Sequence, residues 1–213
     1  MKRLLSAFLA LALFVSPVLA GEWKTPPPKA EAAKTDDVIE VRWEGETDLD
    51  MLKQARIDLN RALGDKKLLR IFLISPGGPA IISLEIGRQI SVARAKGLIV
   101  EIYGSAIIAS GGTFVLAAGT PGRRYISKYT FFLVHPPQSA SWGSAPQCLS
   151  VAQEPKDVQE KAINAILRIM RDLYIEFTKK SQEEVEKWLT CGNEIVGSGE
   201  LALSLGMADE VRE

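Results

Sequence analysis

Apolar strand-like segments that alternate with helix-like segments constrain this fold more than any other feature of the chain. Two of the strand-like segments, Leu68–Ser75 and Leu98–Tyr103, are apolar along most of their length. The stretch between them, Ile81–Ala95, has apolar residues at helical spacing. Mostly apolar strands are typical of a buried parallel sheet. The alternation therefore predicts an α/β fold with a mostly parallel sheet.

The same alternation continues to the end of the chain and predicts one domain over residues 37–213, long enough to bury a sizeable core. The predicted strands are Val38–Trp43, Leu68–Ser75, Leu98–Tyr103, Arg124–Ser127, Thr130–His135 and Ala208–Val211. The predicted helices are Asp48–Leu63, Ile81–Ala95, Gly111–Ala118, Lys156–Lys180, Gln182–Leu189 and Glu200–Leu205. A long polar loop is predicted over Pro136–Pro155.

Residues 1–20 have the pattern of a secretory signal peptide. Lys2 and Arg3 precede an apolar run, and Val18 and Ala20 suit cleavage after Ala20. A membrane anchor is the alternative, but the run is short against the roughly 20 residues that a span needs. We expect an exported, most simply periplasmic, protein. Residues 21–36 are rich in proline and poor in large apolar side chains, which predicts a flexible leader.

The composition and the two cysteines narrow the function classes. The formal net charge is zero, and neither a basic stripe nor an aromatic ladder indicates nucleic-acid binding. Cys148 and Cys191 in an exported chain predict one disulfide, worth about 4 kcal/mol on the chain-entropy model. One histidine and two distant cysteines lack metal-ligand spacing, so we expect no metal and no other cofactor. A catalytic thiol is a weaker alternative.

Three features that can carry chemistry follow predicted strands, where ligands bind in parallel α/β sheets. Gly77 and Gly78 could form a simple turn or one wall of an oxyanion hole, with the Gly78 N–H facing that of Gly111. Ser110 begins a predicted helix, where it is either an N-cap or a nucleophile beside free N–H groups. His135 is the only histidine, and as a general base it would have to reach Ser110.

Several short runs, in their order along residues 37–213, resemble the Clp protease proteolytic subunit family within the Clp/crotonase superfamily. The runs are Ile74–Gly78, Ala109–Gly119, Gly122–Tyr125, Leu133–Pro137, Ser181–Val185 and Leu205–Val211. The resemblance implies a spiral of ββα units with a mostly parallel sheet and a long handle-like helix. It also implies serine peptidase activity, with Ser110 as nucleophile, His135 as base, and Gly78 and Gly111 as the oxyanion hole.

The chain departs from the family's pattern at two places. Extra residues lie between Gly104 and Ser110. The family's third catalytic residue, an aspartate, has no direct match, and the alignment places Glu194 there, or Asn193 if the register shifts by one. We expect a disulfide from Cys191 to Cys148 to hold this loop in place.

The resemblance implies a peptide or unfolded-protein substrate. Because export separates the chain from an ATP supply, we expect no ATPase partner. The predicted helix Lys156–Lys180 corresponds to the family's ring-stacking handle, so a homo-oligomer is one interpretation, and packing on its own sheet is the other.

Two other functions fit the same residues. A Ser–Lys dyad similar to that of the signal peptide peptidase family would use Lys156 or Lys161 as base. A catalytically degenerate binding or assembly module is the non-enzyme alternative, since fold does not fix function.

Overall fold

A seven-stranded sheet, parallel in every pair but one, lies at the centre of the fold. The computed structural model describes residues 37–65, 68–139, 147–148 and 158–213. The strands are β1 Val38–Glu44, β2 Leu68–Ser75, β3 Val100–Ala109, β4 Arg124–Ser127, β5 Phe131–Val134, β6 Gln138–Ser139, β7 Gln147–Cys148, β8 Ile195–Gly197 and β9 Glu210–Arg212. The helices are α1 Leu49–Asp65, α2 Ala80–Ala95, α3 Gly112–Ala117, α4 Val158–Thr178, α5 Gln182–Trp188 and α6 Gly199–Ser204.

The sheet order confirms the predicted α/β class with a mostly parallel sheet. The strands lie in the order β1-β2-β3-β4-β9, and β5 pairs with the end of β3. Only β8, which runs antiparallel to β5, breaks the parallel pattern. Helices α1, α2 and α3 connect parallel strands, as strand–helix alternation requires, because parallel neighbours need a crossover between them.

Strand β3 changes its partner halfway along its length. Ile102–Gly104 pairs with β4, whereas Ile107–Ala109 pairs with β5. Between these segments the register with β2 shifts, and Ala106 has a φ of 56°. The extra residues between Gly104 and Ser110 therefore form a bulge. A bulge bends the strand and changes the direction in which the following residues point.

The sequence prediction for this strand was wrong at its end, because β3 continues past Tyr103 to Ala109. The small polar stretch Gly104–Ser105 resembles a strand terminus, whereas it marks the start of the bulge. The sequence analysis also missed the pair β6–β7, which lies in the predicted loop, and the strand β8. These strands have only two or three residues each, too few to show a periodicity.

The core lies along one face of the sheet. After Leu68, residues alternate between buried and half-buried along β2, so the strand that was predicted to be buried has one fully buried face and one half-buried face. On the other face, the rings of Phe72, Tyr103 and Tyr125 stack in sequence, and the Arg212 guanidinium lies 3.6 Å from the Tyr125 ring centre. Arginine side chains can cover exposed aromatic rings in this way because guanidinium groups stack on aromatic faces.

The long helix packs against its own domain. Leu167, Met170, Tyr174 and Phe177 on its apolar side are all buried within this chain. The interpretation that this stripe covers the chain's own core is therefore confirmed for these residues, and a homo-oligomer stays a prediction. The signal peptide, the leader, Lys156 and most of the polar loop lie outside the described residues. Among the helices that the structure describes, none is long and apolar enough to cross a membrane.

Candidate active site

Ser110 lies in a sharp turn between β3 and α3. Its φ is 51°, a left-handed conformation that costs a residue with a Cβ about 1–2 kcal/mol. Three hydrogen bonds hold the turn. The Ser110 N–H donates to the Leu133 carbonyl at 2.9 Å, and the Ser110 carbonyl accepts from the N–H and the Oγ1 of Thr113. The N-cap of α3 is Gly111, with no side-chain cap bond, so the structure does not support the N-cap interpretation of Ser110.

The Gly77–Gly78 loop is pressed against this turn. Gly77 has a φ of 95°, and a Cβ on it would lie 2.5 Å from the Ser110 Cβ and 2.7 Å from the Gly111 nitrogen. Only glycine accepts both this conformation and this proximity. The Gly77 N–H donates to the Ser75 hydroxyl at 3.1 Å, which leaves the Gly78 N–H as the donor of this loop.

The backbone N–H groups of Gly78 and Gly111 are the candidate oxyanion donors. Within the residues that the structure describes, neither donates to a protein acceptor. Both glycines are packed too tightly for a side chain: a Cβ on Gly78 would lie 2.8 Å from the Thr47 carbonyl oxygen, and one on Gly111 would overlap the Ser83 hydroxyl. Thr47 and Ser83 are themselves hydrogen-bonded at 2.6 Å. Two N–H groups held this rigidly can stabilise an oxyanion without reorganisation.

His135 directly follows β5 and is half-buried. Its Nδ1 lies 2.7 Å from the carbonyl oxygen of Pro136. Because a carbonyl oxygen can only accept, Nδ1 carries the proton in the neutral ring, and Nε2 presents its lone pair. This is the tautomer that a general base needs. In the described part of the chain, no hydrogen bond joins the side chains of Ser110 and His135.

One pocket of about 180 Å³ brings the predicted residues together. The nucleophile, the base and both candidate oxyanion donors line it, and most of the other walls are apolar. The lining residues are Gly78, Pro79, Ala80, Ser110, Gly111, Phe114, His135, Pro137, Met170 and Tyr174. The arrangement can therefore place a carbonyl group among a hydroxyl, an imidazole and two N–H donors.

Glu194 and Asn193 directly precede β8 and do not line the pocket. Val134 pairs with Ile195, so Glu194 and His135 each lie one residue beyond the last paired residues of β8 and β5. Glu194 and Asn193 are both exposed, and the Asn193 amide donates to the Lys187 carbonyl at 3.2 Å. Neither makes a hydrogen bond to His135 among the described residues, so the third catalytic residue stays a prediction.

Of the two candidate lysines, Lys161 is exposed on α4 and does not line the pocket, and Lys156 lies outside the described residues. No cysteine of the described residues, Cys191 included, is a free thiol, and the side chain of Cys148 lies outside the described part, so their pairing stays a prediction. Among the described residues, no group of three or more His, Cys, Asp and Glu side chains could hold a metal ion.

Thr113, Met170 and Tyr174 are among the residues of the site that sequence reasoning missed. Met170 and Tyr174 belong to the apolar stripe of the long helix, which indicated a packing surface and not a pocket wall. Burial raises the pKa of the Tyr174 hydroxyl, and its hydrogen bond with Thr113 opposes this only in part. Thr113 carried no signal beyond its place in a helix of small residues.

Several known proteins are similar in sequence to this chain. The chain is 28% identical over 163 residues to ATP-dependent Clp protease proteolytic subunit 2 of Mycolicibacterium paratuberculosis, covering 74% of this chain and 72% of that protein. Subunit 1 of Mycobacterium bovis matches with the same identity and coverage. Subunit 1 of Corynebacterium jeikeium is 27% identical over 133 residues, covering 62% and 65% of the two chains.

The Clp protease family model matches residues 49–213, which include both Ser110 and His135. This range spans every described element from α1 to β9. With the sheet order and the pocket described above, it shows that this chain belongs to the Clp protease family.

Proposed function

We propose that this chain is an exported serine peptidase that uses Ser110 and His135 and needs no ATPase. Family membership supports a serine peptidase-like function. The observation that carries the residue assignment is the shared pocket. It is lined by Ser110 in its strained turn, by His135, and by the two glycines whose N–H groups donate to no acceptor among the described residues. Strained backbone is found where a functional side chain must be held in place.

The chemistry follows from these positions. Ser110 Oγ attacks the carbonyl carbon of the scissile peptide bond, and His135 Nε2 accepts the hydroxyl proton. The N–H groups of Gly78 and Gly111 donate to the oxyanion of the tetrahedral intermediate. His135 then gives its proton to the leaving amine, and an acyl-enzyme remains on Ser110. Water attacks this ester with His135 again as base, which releases the acid and restores the hydroxyl.

The pocket and the N-terminal segment suggest the substrates. Pro79, Ala80, Phe114 and Met170 make the walls beside Ser110 apolar, which favours an apolar side chain next to the scissile bond. The relatives are named ATP-dependent. An exported chain has no ATP supply, so we propose that it cleaves peptides or already unfolded chains unaided. Assembly into a homo-oligomer belongs to the same proposal, since the relatives are named as subunits.

A catalytically degenerate binding module is the second candidate. Two observations favour it: Ser110 and His135 are not hydrogen-bonded to each other, and Glu194 is exposed. An active site that lacks its third residue still retains part of its rate enhancement, so these observations weaken catalysis without removing it.

A fluorophosphonate probe tests the proposal on the mature chain. We expect the probe to label the wild type and to fail with Ser110→Ala and with His135→Ala. Ser91→Ala is the matched control, because this serine donates to Glu176 outside the pocket and should label like the wild type. A folded wild type that stays unlabelled would favour the binding module.

Export is tested separately, by N-terminal sequencing of the protein from a periplasmic fraction. The proposal expects a chain that begins at Gly21. An intact Met1 in the cytoplasmic fraction would overturn export, and would leave the peptidase assignment to the probe experiment.

A further inference from the structure

Two buried hydroxyl groups lie beneath the turn that carries Ser110. The hydroxyl of Tyr174, on α4, is 2.6 Å from Oγ1 of Thr113, on α3. Thr113 Oγ1 is in turn 2.5 Å from the carbonyl oxygen of Ser110. Tyr174 is 1% exposed and Thr113 is fully buried. The three groups form one hydrogen-bonded chain from the long helix to the nucleophile turn.

The last acceptor determines which group donates at each step of this hydrogen-bonded chain. A carbonyl oxygen has no proton to give, so Thr113 donates its single hydroxyl proton to Ser110. The Tyr174 hydroxyl must then donate to Thr113. Because burial raises the pKa of Tyr174, the phenol keeps its proton and stays a donor.

The Tyr174 ring is held from two sides. The Phe114 ring stacks on it with 3.9 Å between ring centres, and the Trp188 ring meets it edge-on at 5.8 Å. These rings come from α3 and α5, so the position of the Tyr174 hydroxyl depends on three helices. A donor fixed this firmly restricts the rotamer of Thr113.

We propose that Thr113 and Tyr174 are positioning residues that hold Ser110 in its left-handed, reactive conformation; this inference rests on the proposed peptidase function. Thr113 binds the Ser110 carbonyl twice, through its N–H at 3.1 Å and through its hydroxyl. Tyr174 fixes the Thr113 side chain in the rotamer that makes the second bond. Neither hydroxyl touches the reacting atoms; both act through the backbone of Ser110.

The effect should fall on the chemical step. Displacing a reacting group by about 1 Å can cost on the order of 100-fold in rate. We expect Thr113→Val to lower kcat at least tenfold while KM changes less than twofold, because the pocket walls stay in place. Thr113→Ser keeps the hydroxyl and should restore most of kcat. Tyr174→Phe keeps the ring stack and should lower kcat by a smaller factor.

Thr178→Val is the matched control. Thr178 is also a buried threonine, and its hydroxyl donates to the Tyr174 backbone carbonyl at 2.6 Å without contacting Ser110. Both valine variants lose one buried hydroxyl, so a loss of stability should be common to both. Only Thr113→Val should slow the labelling of Ser110.

The closing experiment measures the fluorophosphonate labelling rate, kcat, KM and the unfolding midpoint for the wild type and these four variants. Slower labelling in Thr113→Val than in Thr178→Val, with rescue by Thr113→Ser, is the expected result. If Thr113→Val does not fold, a lower kcat in the folded Tyr174→Phe variant carries the same conclusion. Equal labelling rates in a reactive protein overturn the positioning role alone. A wild type that is not labelled overturns the peptidase function, and the positioning role with it.

Discussion

The two halves of the candidate site are held in very different ways. Around Ser110, which is half-buried, three hydrogen bonds to its backbone groups, the Gly77 contact and the Thr113–Tyr174 pair act together. His135 is half-buried as well, and within the described residues the one hydrogen bond of its ring goes to the carbonyl of its own chain neighbour, Pro136.

On the proposed mechanism, this difference indicates how the fold would divide the work of catalysis. The nucleophile and the oxyanion donors stabilise charge best when they do not move during the reaction, so close packing suits them. A base must approach the nucleophile, accept a proton and then deliver it to the leaving group. The His135 side has the correct tautomer already, and fewer of the described contacts fix its position than fix that of Ser110.

Gly77→Ala should give the largest effect, because it adds a Cβ to the tightly packed half. The strain of an alanine at a positive φ and the overlap of its Cβ with the Ser110 turn should together lower the free energy of unfolding by about 5 kcal/mol. Gly97→Ala is the control, since Gly97 has a similar φ of 91° and nothing within 4 Å of its added Cβ. It should cost only about 1–2 kcal/mol. Urea unfolding measures both, and equal losses would mean that the contact with Ser110 is unimportant.

Breaking the proposed Cys148–Cys191 disulfide should give the next largest effect and act on the His135 half. Reduction should lower the free energy of unfolding by about 4 kcal/mol, because the unfolded chain gains freedom. The measurement is denaturant unfolding with and without reductant. A variant with both cysteines changed to serine is the control and should not respond to reductant. Two free thiols in the oxidised protein would contradict the pairing.

Glu194→Gln should give the smallest effect. It is also the most direct test of how the His135 half of the site is held. The Pro136 carbonyl already holds the His135 Nδ1 proton, and Glu194 is exposed. We therefore expect a fall in kcat of less than about tenfold, whereas replacing the aspartate of a complete triad costs about 10⁴-fold. Glu183→Gln, at an exposed glutamate of α5 that does not line the pocket, is the control and should change kcat little. A loss near 10⁴-fold for Glu194→Gln would instead make Glu194 the third catalytic residue.

Much of this fold was predictable because its signals are local. Apolar runs and helical spacing located β2, α2 and the long helix, since burial of one face imposes a period on the residues that form it. The end of β3 was not predictable, because a bulge interrupts the period that defines a strand. The three-residue strand β8 was missed because its pairing depends on β5, more than 60 residues earlier in the chain.

The sequence by itself determined the residue types of the site: one histidine, a serine beside glycines, and a Pro-Gly-Gly turn, each after an apolar strand. Only the tertiary structure decided how they are held. The left-handed turn at Ser110, the tautomer of His135 and the Tyr174–Thr113 chain each depend on groups that are distant in sequence or on backbone geometry. The bond between Thr113 and Tyr174 forms only once the helices have packed, and the other two features depend on backbone angles, so no local pattern of residues records them.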